Sequence, residues 1–218
     1  VERILDKAGQ KGTGRWTSEI ALRYGTPVPT MQAAVEARYL SAMKTQRVHA
    51  SNHLQGPAQG APIEGMIDAV RDALYCSKIC SYAQGLDLLA TADADKQWGL
   101  DLGDIARIWK GGCIIRARFL KSIQAAYGKS KSLPNLLLDA DLGAFIQKHQ
   151  GAWRKVVALA AERGIPTLAM GASLSYFDSY RRASLPQNLT QAQRDLFGAH
   201  TFERTDKPAG EFFHHEWS

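Results

Sequence analysis

The stretch that decides the fold is residues 63–89, IEGMIDAVRDALYCSKICSYAQGLDLL. In it Ile63, Met66, Ile67, Val70, Ala73, Leu74, Ser77, Ile79, Cys80, Ala83, Leu86 and Leu89 set apolar or small side chains around much of a helical circumference. A helix so patterned is buried on most sides rather than along one stripe. At 1.5 Å per residue it makes a rod of about 45 Å, the central pillar of a larger assembly. Gly56-Pro57 and Gly60-Ala61-Pro62 mark the loop before it, with Pro62 near its first turn.

Outward from that pillar, helical spacing recurs at 31–48 and, in shorter pieces, at 101–110, 113–127, 139–149, 150–163 and 166–182. Gly111-Gly112 and Gly164 punctuate them. Alternating β-branched runs are nearly absent. The expectation is an all-α fold, a multi-helix antiparallel assembly around one long central helix with an extended C-terminal tail. Residues 1–182 form the helical domain and residues 183–218 the tail. The first 30 residues read as an irregular lead-in: Gly9, Gly12 and Gly14 cluster, and Gly25-Thr26-Pro27-Val28-Pro29 forces an extended entry before Thr30 as an N-cap. Residues 176–218 hold eight of the chain's 19 aromatics but few aliphatics, with one short helix, Thr190 and Gln193 as its capping box and Gly198 as its stop, and then coil. Such a segment packs on its own domain or inserts into a second subunit.

Composition bounds the function. The 218 residues are 45% hydrophobic and 22% charged, which excludes a disordered or fibrous chain. No run approaches the roughly 18 to 20 apolar residues of a membrane span, and Val1-Glu2-Arg3-Ile4 has no signal-peptide core. Three cysteines without CxxC spacing suit a reducing compartment, and cytoplasm is the expected location. The net charge of +6 favours an anionic partner. Its cations are scattered and lack aromatic interleaving, so a nucleic-acid binder is the weaker reading.

Three places suit an anion. Ala8-Gly9-Gln10-Lys11-Gly12-Thr13-Gly14 puts an ammonium and a hydroxyl among three glycines, although the order fails the Walker A pattern and a plain flexible turn fits as well. Arg38 has Ala34, Val35, Ser41 and Ala42 one turn away. On such a face it is expected to be half-buried, and paired with an anion or with Glu19 or Glu36. Arg194 and His200 flank the stop of the tail helix, and Arg194-Asp195 reads as a surface pair. Cys76 with Cys80, and His214-His215, lack the further ligands of a metal site.

Five blocks in order resemble the 6-phosphogluconate dehydrogenase family. They are Ala8 to Thr17, Ala73-Leu74-Tyr75, Ser81 to Gly85, Ile108 to Arg116, and Gln191 to Thr201. The likeness covers nearly the whole chain and only the C-terminal part of the family: the helical domain from its middle onward, then the tail. It implies a parent that oxidatively decarboxylates 6-phosphogluconate to ribulose 5-phosphate and CO2 with reduction of NADP, in the pentose phosphate pathway. It also implies that the NADP-binding Rossmann domain, and the general base Lys and general acid Glu, lie upstream of Val1, so that this chain alone is inactive. By the same resemblance Lys11, Thr13 and Arg38 grip the substrate phosphate from one subunit, and Arg194 and His200 come from the tail of the other in a homodimer. Glu36, where the family more often has an aromatic or small residue, either pairs with Arg38 or points to solvent. The alternative from another class is a noncatalytic dimerisation or sugar-phosphate-binding module.

Overall fold

A computed structural model describes residues 1–58, 60 and 63–217. Among them are nine α-helices, one short 3-10 turn and a two-strand ribbon. The chain falls into two compact units, Val1–Phe177 and Asp178–Ser218.

In the first unit the long helix forms as its composition demands. It is α4, Met66–Lys96, 31 residues. The expected start at Pro62 lies outside the described residues; Gly65, at φ 73°, is the residue that caps α4. Ala73, Cys76, Ile79, Cys80, Ala83 and Leu86 are at most 1% exposed. They face α7, Ala140–Glu162, whose Ile146 and Trp153 are fully buried. Small residues on α4 let α7 pack closely, and dispersion across this apolar seam is the main cohesion of the unit. Leu120 and Ile123 of α6, Leu120–Lys129, and Leu136 of the 3-10 turn Leu136–Leu138 complete the same core. Helix α5, Leu102–Ile108, packs beside α6.

Two patterns read as separate helices at 139–149 and 150–163 are this single α7. Gly151 lies exposed within it with open space around its Cα, where a glycine costs propensity without breaking the helix. Asp139 caps its start by accepting from the N–H groups of Asp141 and Leu142. Residues 113–119 are turns rather than the first half of a helix.

The lead-in is more ordered than expected. Thr13–Tyr24 is helix α1, bounded by Gly12 at φ 100° and Gly25 at φ 66°. Two of the glycines that suggest irregular chain, Gly12 and Gly25, are its two ends. The helix expected over 31–48 is two, α2 (Pro29–Ala42) and α3 (Lys44–Ser51), broken at Met43. Pro29 opens α2 after Val28, so Thr30 lies inside it and is not the cap. Its hydroxyl has better partners: Gln84 Nε2 donates to it at 2.8 Å and Ser173 Oγ lies 2.8 Å away. Gln84 Oε1 also accepts from the Thr30 N–H at 3.0 Å. Gln84 and Ser173 are fully buried, so this satisfied network ties α2 to α4 and to α8, Leu168–Tyr180.

The second unit contains α9, Gln187–Gly198, and the antiparallel pair β1 (Phe202–Glu203) and β2 (Phe212–Phe213). Thr190 is interior to α9 and Pro186 precedes its first residue, so the capping box is not formed. Gly198 is its last residue.

Candidate functional site

Asp6 starts the construction. Its carboxylate meets Lys44 Nζ at 2.7 Å and accepts from Arg47 Nη1 at 3.0 Å, and Arg47 Nη2 also donates to the carbonyls of Asp6 and Ser41. The bonds to Lys44 and then Arg47 hold the Asp6 carboxyl down at about 2. Two residues on, the Ala8 N–H donates to Ser41 Oγ at 2.9 Å. The segment is thereby laid along α2, and residues 7–10 with Arg38, Tyr39 and Ala42 line a cavity of about 300 Å³.

The segment then turns into α1. At Gly14 a Cβ would stand 2.7 Å from Val35 Cγ2, so only glycine lets the first turn of α1 approach α2 this closely. No side chain caps the start of α1, and its first turn holds no acidic residue. Its free N–H groups therefore present the positive end of the helix beside exposed Lys11 and Thr13.

Arg38 corrects the expectation of a half-buried guanidinium, and of the two pairings left open the internal one is not made: it is exposed and has no ion pair among the described residues. Ala34 and Ala42 are exposed too, so the small-residue face of α2 is an open face, not a packed one. The two candidate partners are engaged elsewhere, Glu36 with Gln32 Nε2 at 3.1 Å and Glu19 with Arg15 at 3.4 Å. A larger cavity of about 940 Å³ lies on the other side of α2, against Leu74, Leu168 and Met170. It is mostly apolar and contains none of the five residues singled out, whereas Arg38 lines the smaller one.

In the second unit Arg194 points outward and donates through Nη1 to Gln191 Oε1 at 2.9 Å. Its neighbour Asp195 is not surface decoration. It is fully buried, accepting at Oδ1 from the Thr201 N–H (2.9 Å) and at Oδ2 from the His215 N–H (3.0 Å) and Trp217 Nε1 (2.8 Å), with His214 Nδ1 2.9 Å from Oδ1. Burial pushes this carboxyl up, but the bonds from His214, His215, Trp217 and Thr201 more than offset it and hold it well below the usual carboxylate range. The exposed His200 ring lies over Gly198. Lys11, Thr13 and Arg38 thus lie in the first unit, and Arg194 and His200 in the second. Sequence reading missed Gln191 and Asp195; their spacing with Ala192, on the inner side of α9, was the available signal.

The thiols of Cys76 and Cys80 are pushed up to about 12, chiefly by burial, which marks them as packing groups. Among the described residues no group of three His, Cys, Asp or Glu is placed to hold a metal ion. No helix there is long and apolar enough to cross a membrane.

Fold and site together define a helical domain whose uncapped α1 start lies beside exposed Lys11 and Thr13, and a second unit with Arg194 and His200 exposed on it. Residues 1–217 match the family described as 6-phosphogluconate dehydrogenase, C-terminal domain. The chain is 60% identical to a decarboxylating 6-phosphogluconate dehydrogenase of Synechococcus elongatus and 58% identical to one of Synechocystis; all of this chain aligns, against 46% and 45% of those proteins. It is 52% identical to a Bacillus subtilis relative described as NADP(+)-dependent and decarboxylating, again over 46% of that protein. A solved Plasmodium falciparum 6-phosphogluconate dehydrogenase, described in apo form and in complexes with NADP+ and with 6-phosphogluconate, superposes at TM-score 0.91 with 45% identity, covering 99% of this chain and 47% of that one. The chain belongs to the 6-phosphogluconate dehydrogenase family and spans just under half the length of these relatives.

Proposed function

We propose that this chain is the substrate-holding part of an enzyme that oxidatively decarboxylates 6-phosphogluconate to ribulose 5-phosphate and CO2. The observation that carries the reading is the exposed, unpaired Arg38 beside the segment that ends in the uncapped start of α1. A phosphate dianion satisfies both at once, the guanidinium by bidentate bonds and the helix end by its N–H groups. Lys11 supplies a mobile ammonium and Thr13 a hydroxyl at the same helix start. In a homodimer the tail, residues 183–218, brings Arg194 and His200 of a second copy to this site. Exposed apolar side chains on both units, Ile67 and Leu74 on α4 and Phe197 in the tail at 86%, 61% and 81% exposure, support such a partner.

The described residues do not fit NADP themselves. Their only strands are β1 and β2, so no strand–turn–helix phosphate cradle of the dinucleotide kind exists among them. NADP is therefore assigned to other parts of the parent enzyme, as are the general base and acid, and the chain alone is inactive. Its contribution is binding energy remote from the reacting carbon, which orients the sugar acid for the chemistry.

Calorimetric titration with 6-phosphogluconate, with the oligomer established by sedimentation, tests this. Saturable binding by a dimer is expected, weakened on the order of tenfold or more by Arg38→Ala and by Arg194→Ala. Binding that neither substitution changes would overturn the reading.

A further inference from the structure

We propose that Gln191 is a positioning residue that sets Arg194 and His200 in one arrangement through the two ends of a single amide. The proposal rests on the substrate-holding role assigned above to those two residues. Gln191 Oε1 accepts from Arg194 Nη1 at 2.9 Å, while Gln191 Nε2 donates to the Thr201 carbonyl at 2.6 Å. The amide cannot be reversed, because a guanidinium has no acceptor and a carbonyl no donor. One side chain, half-buried on the inner side of α9, thus couples a long exposed cation to the turn that carries the histidine.

That turn needs holding. His200 stands between two non-glycine residues in the left-handed region, Ala199 at φ 50° and Thr201 at φ 59°. Such backbone persists only where its surroundings over-determine it. Here the Ala199 N–H donates to the Asp195 carbonyl at 2.8 Å, the Thr201 N–H to Asp195 Oδ1 at 2.9 Å, and Thr201 Oγ1 to the His200 carbonyl at 2.7 Å. The imidazole rests on the bare Cα of Gly198, where a Cβ would lie 3.0 Å from Nε2. Asp195 fixes the N–H side of Thr201 and Gln191 the carbonyl side. Without Gln191, Arg194 regains the freedom of a long exposed side chain and Thr201, the residue after His200, loses the anchor on its carbonyl and keeps only the one on its N–H.

The test uses a full-length dehydrogenase carrying this sequence. Gln191→Leu is expected to raise KM for 6-phosphogluconate on the order of tenfold and to leave KM for NADP within about twofold. In an Arg194→Ala, His200→Ala background the same substitution is expected to add nothing, because the residues it acts through are gone. A rise of equal size in that background means that Gln191 acts by another route, and overturns the proposal. No rise from Gln191→Leu where Arg194→Ala does raise KM also overturns it while leaving the substrate reading intact. No rise from Arg194→Ala or His200→Ala removes the substrate reading and this proposal with it. If Gln191→Leu yields no folded enzyme, Gln191→Glu carries the test: it keeps the length and an acceptor for Arg194 but sets a carboxylate against the Thr201 carbonyl. The same rise, and the same loss of effect in the doubly substituted background, is expected; an unchanged KM would overturn the proposal.

Discussion

Val1–Phe177 and Asp178–Ser218 are held together by opposite means. In the first unit the buried set is Trp153, Ile79, Leu86, Leu120, Ile123 and their neighbours, apolar groups packed between α4, α6 and α7. In the second, the only buried residue among those described is a carboxylate, Asp195, while Leu196, Phe197 and Phe212 beside it are 51%, 81% and 66% exposed. Apolar packing fixes a volume and tolerates rotation, whereas a carboxylate with three N–H donors and a histidine ring around it fixes directions. The second kind of cohesion suits the role proposed above for this short segment, presenting an Arg and a His at a set angle. It leaves the apolar side chains free to cover another surface.

The contrast predicts unequal responses to damage. Trp153→Ala removes a fully buried indole from the seam between α4 and α7. It should cost about 3–5 kcal/mol, read as a lowered midpoint in chemical denaturation followed at the first unit. A cost below about 1 kcal/mol would mean that this seam is not the main cohesion of the unit. Thr30→Val is next in size. It keeps the shape but strips the hydroxyl that Gln84 and Ser173 share, leaving the buried Gln84 Nε2 without that acceptor. The expected loss is about 1–3 kcal/mol. Gln84→Leu made together with Thr30→Val should not restore the lost stability, because the buried Thr30 N–H then loses Gln84 Oε1 as its acceptor.

How much of this was legible in the sequence follows the same division. The pillar α4 could be read from residues 63–89, because apolar and small side chains on most sides admit only a buried helix. The resemblance to the family rested on blocks that span both units, and the family is the one the whole chain matches. Helix α1 was hidden because the glycines at 9, 12, 14 and 25 signal chain breaks, and nothing local says that two of them terminate a helix while Gly14 permits its approach to Val35. Thr30 misled because N-cap preference is local, and the partners that captured its hydroxyl lie 54 and 143 residues away. Arg38 misled because small neighbours suggest a packed face, whereas here they form an open one. Asp195 was the least legible, since a buried carboxylate beside an arginine looks like a surface pair until its donors, 6 to 22 residues downstream, are folded around it.

The smallest and most local effect should be produced by acid. Asp195 is held well below its ordinary value in the folded chain, so its contribution is fully present above the unfolded-state aspartate value of roughly 4 and is lost as pH falls below it toward the folded value. Tail order, followed by Trp217 fluorescence and by amide exchange at Thr201 and His215, should therefore decline below about pH 4 before the apolar seam around Trp153 responds. The Asp195→Asn variant separates this titration from general acid unfolding. Its amide offers one acceptor oxygen where three N–H donors converged and turns an NH2 group toward donors. The tail amides should then exchange faster already at neutral pH, with no further acid step, while the first unit keeps its protection. If both units of the unsubstituted chain lose protection together as pH falls, the two are one cooperative body, and the division into an apolar core and a polar knot does not describe how the chain comes apart.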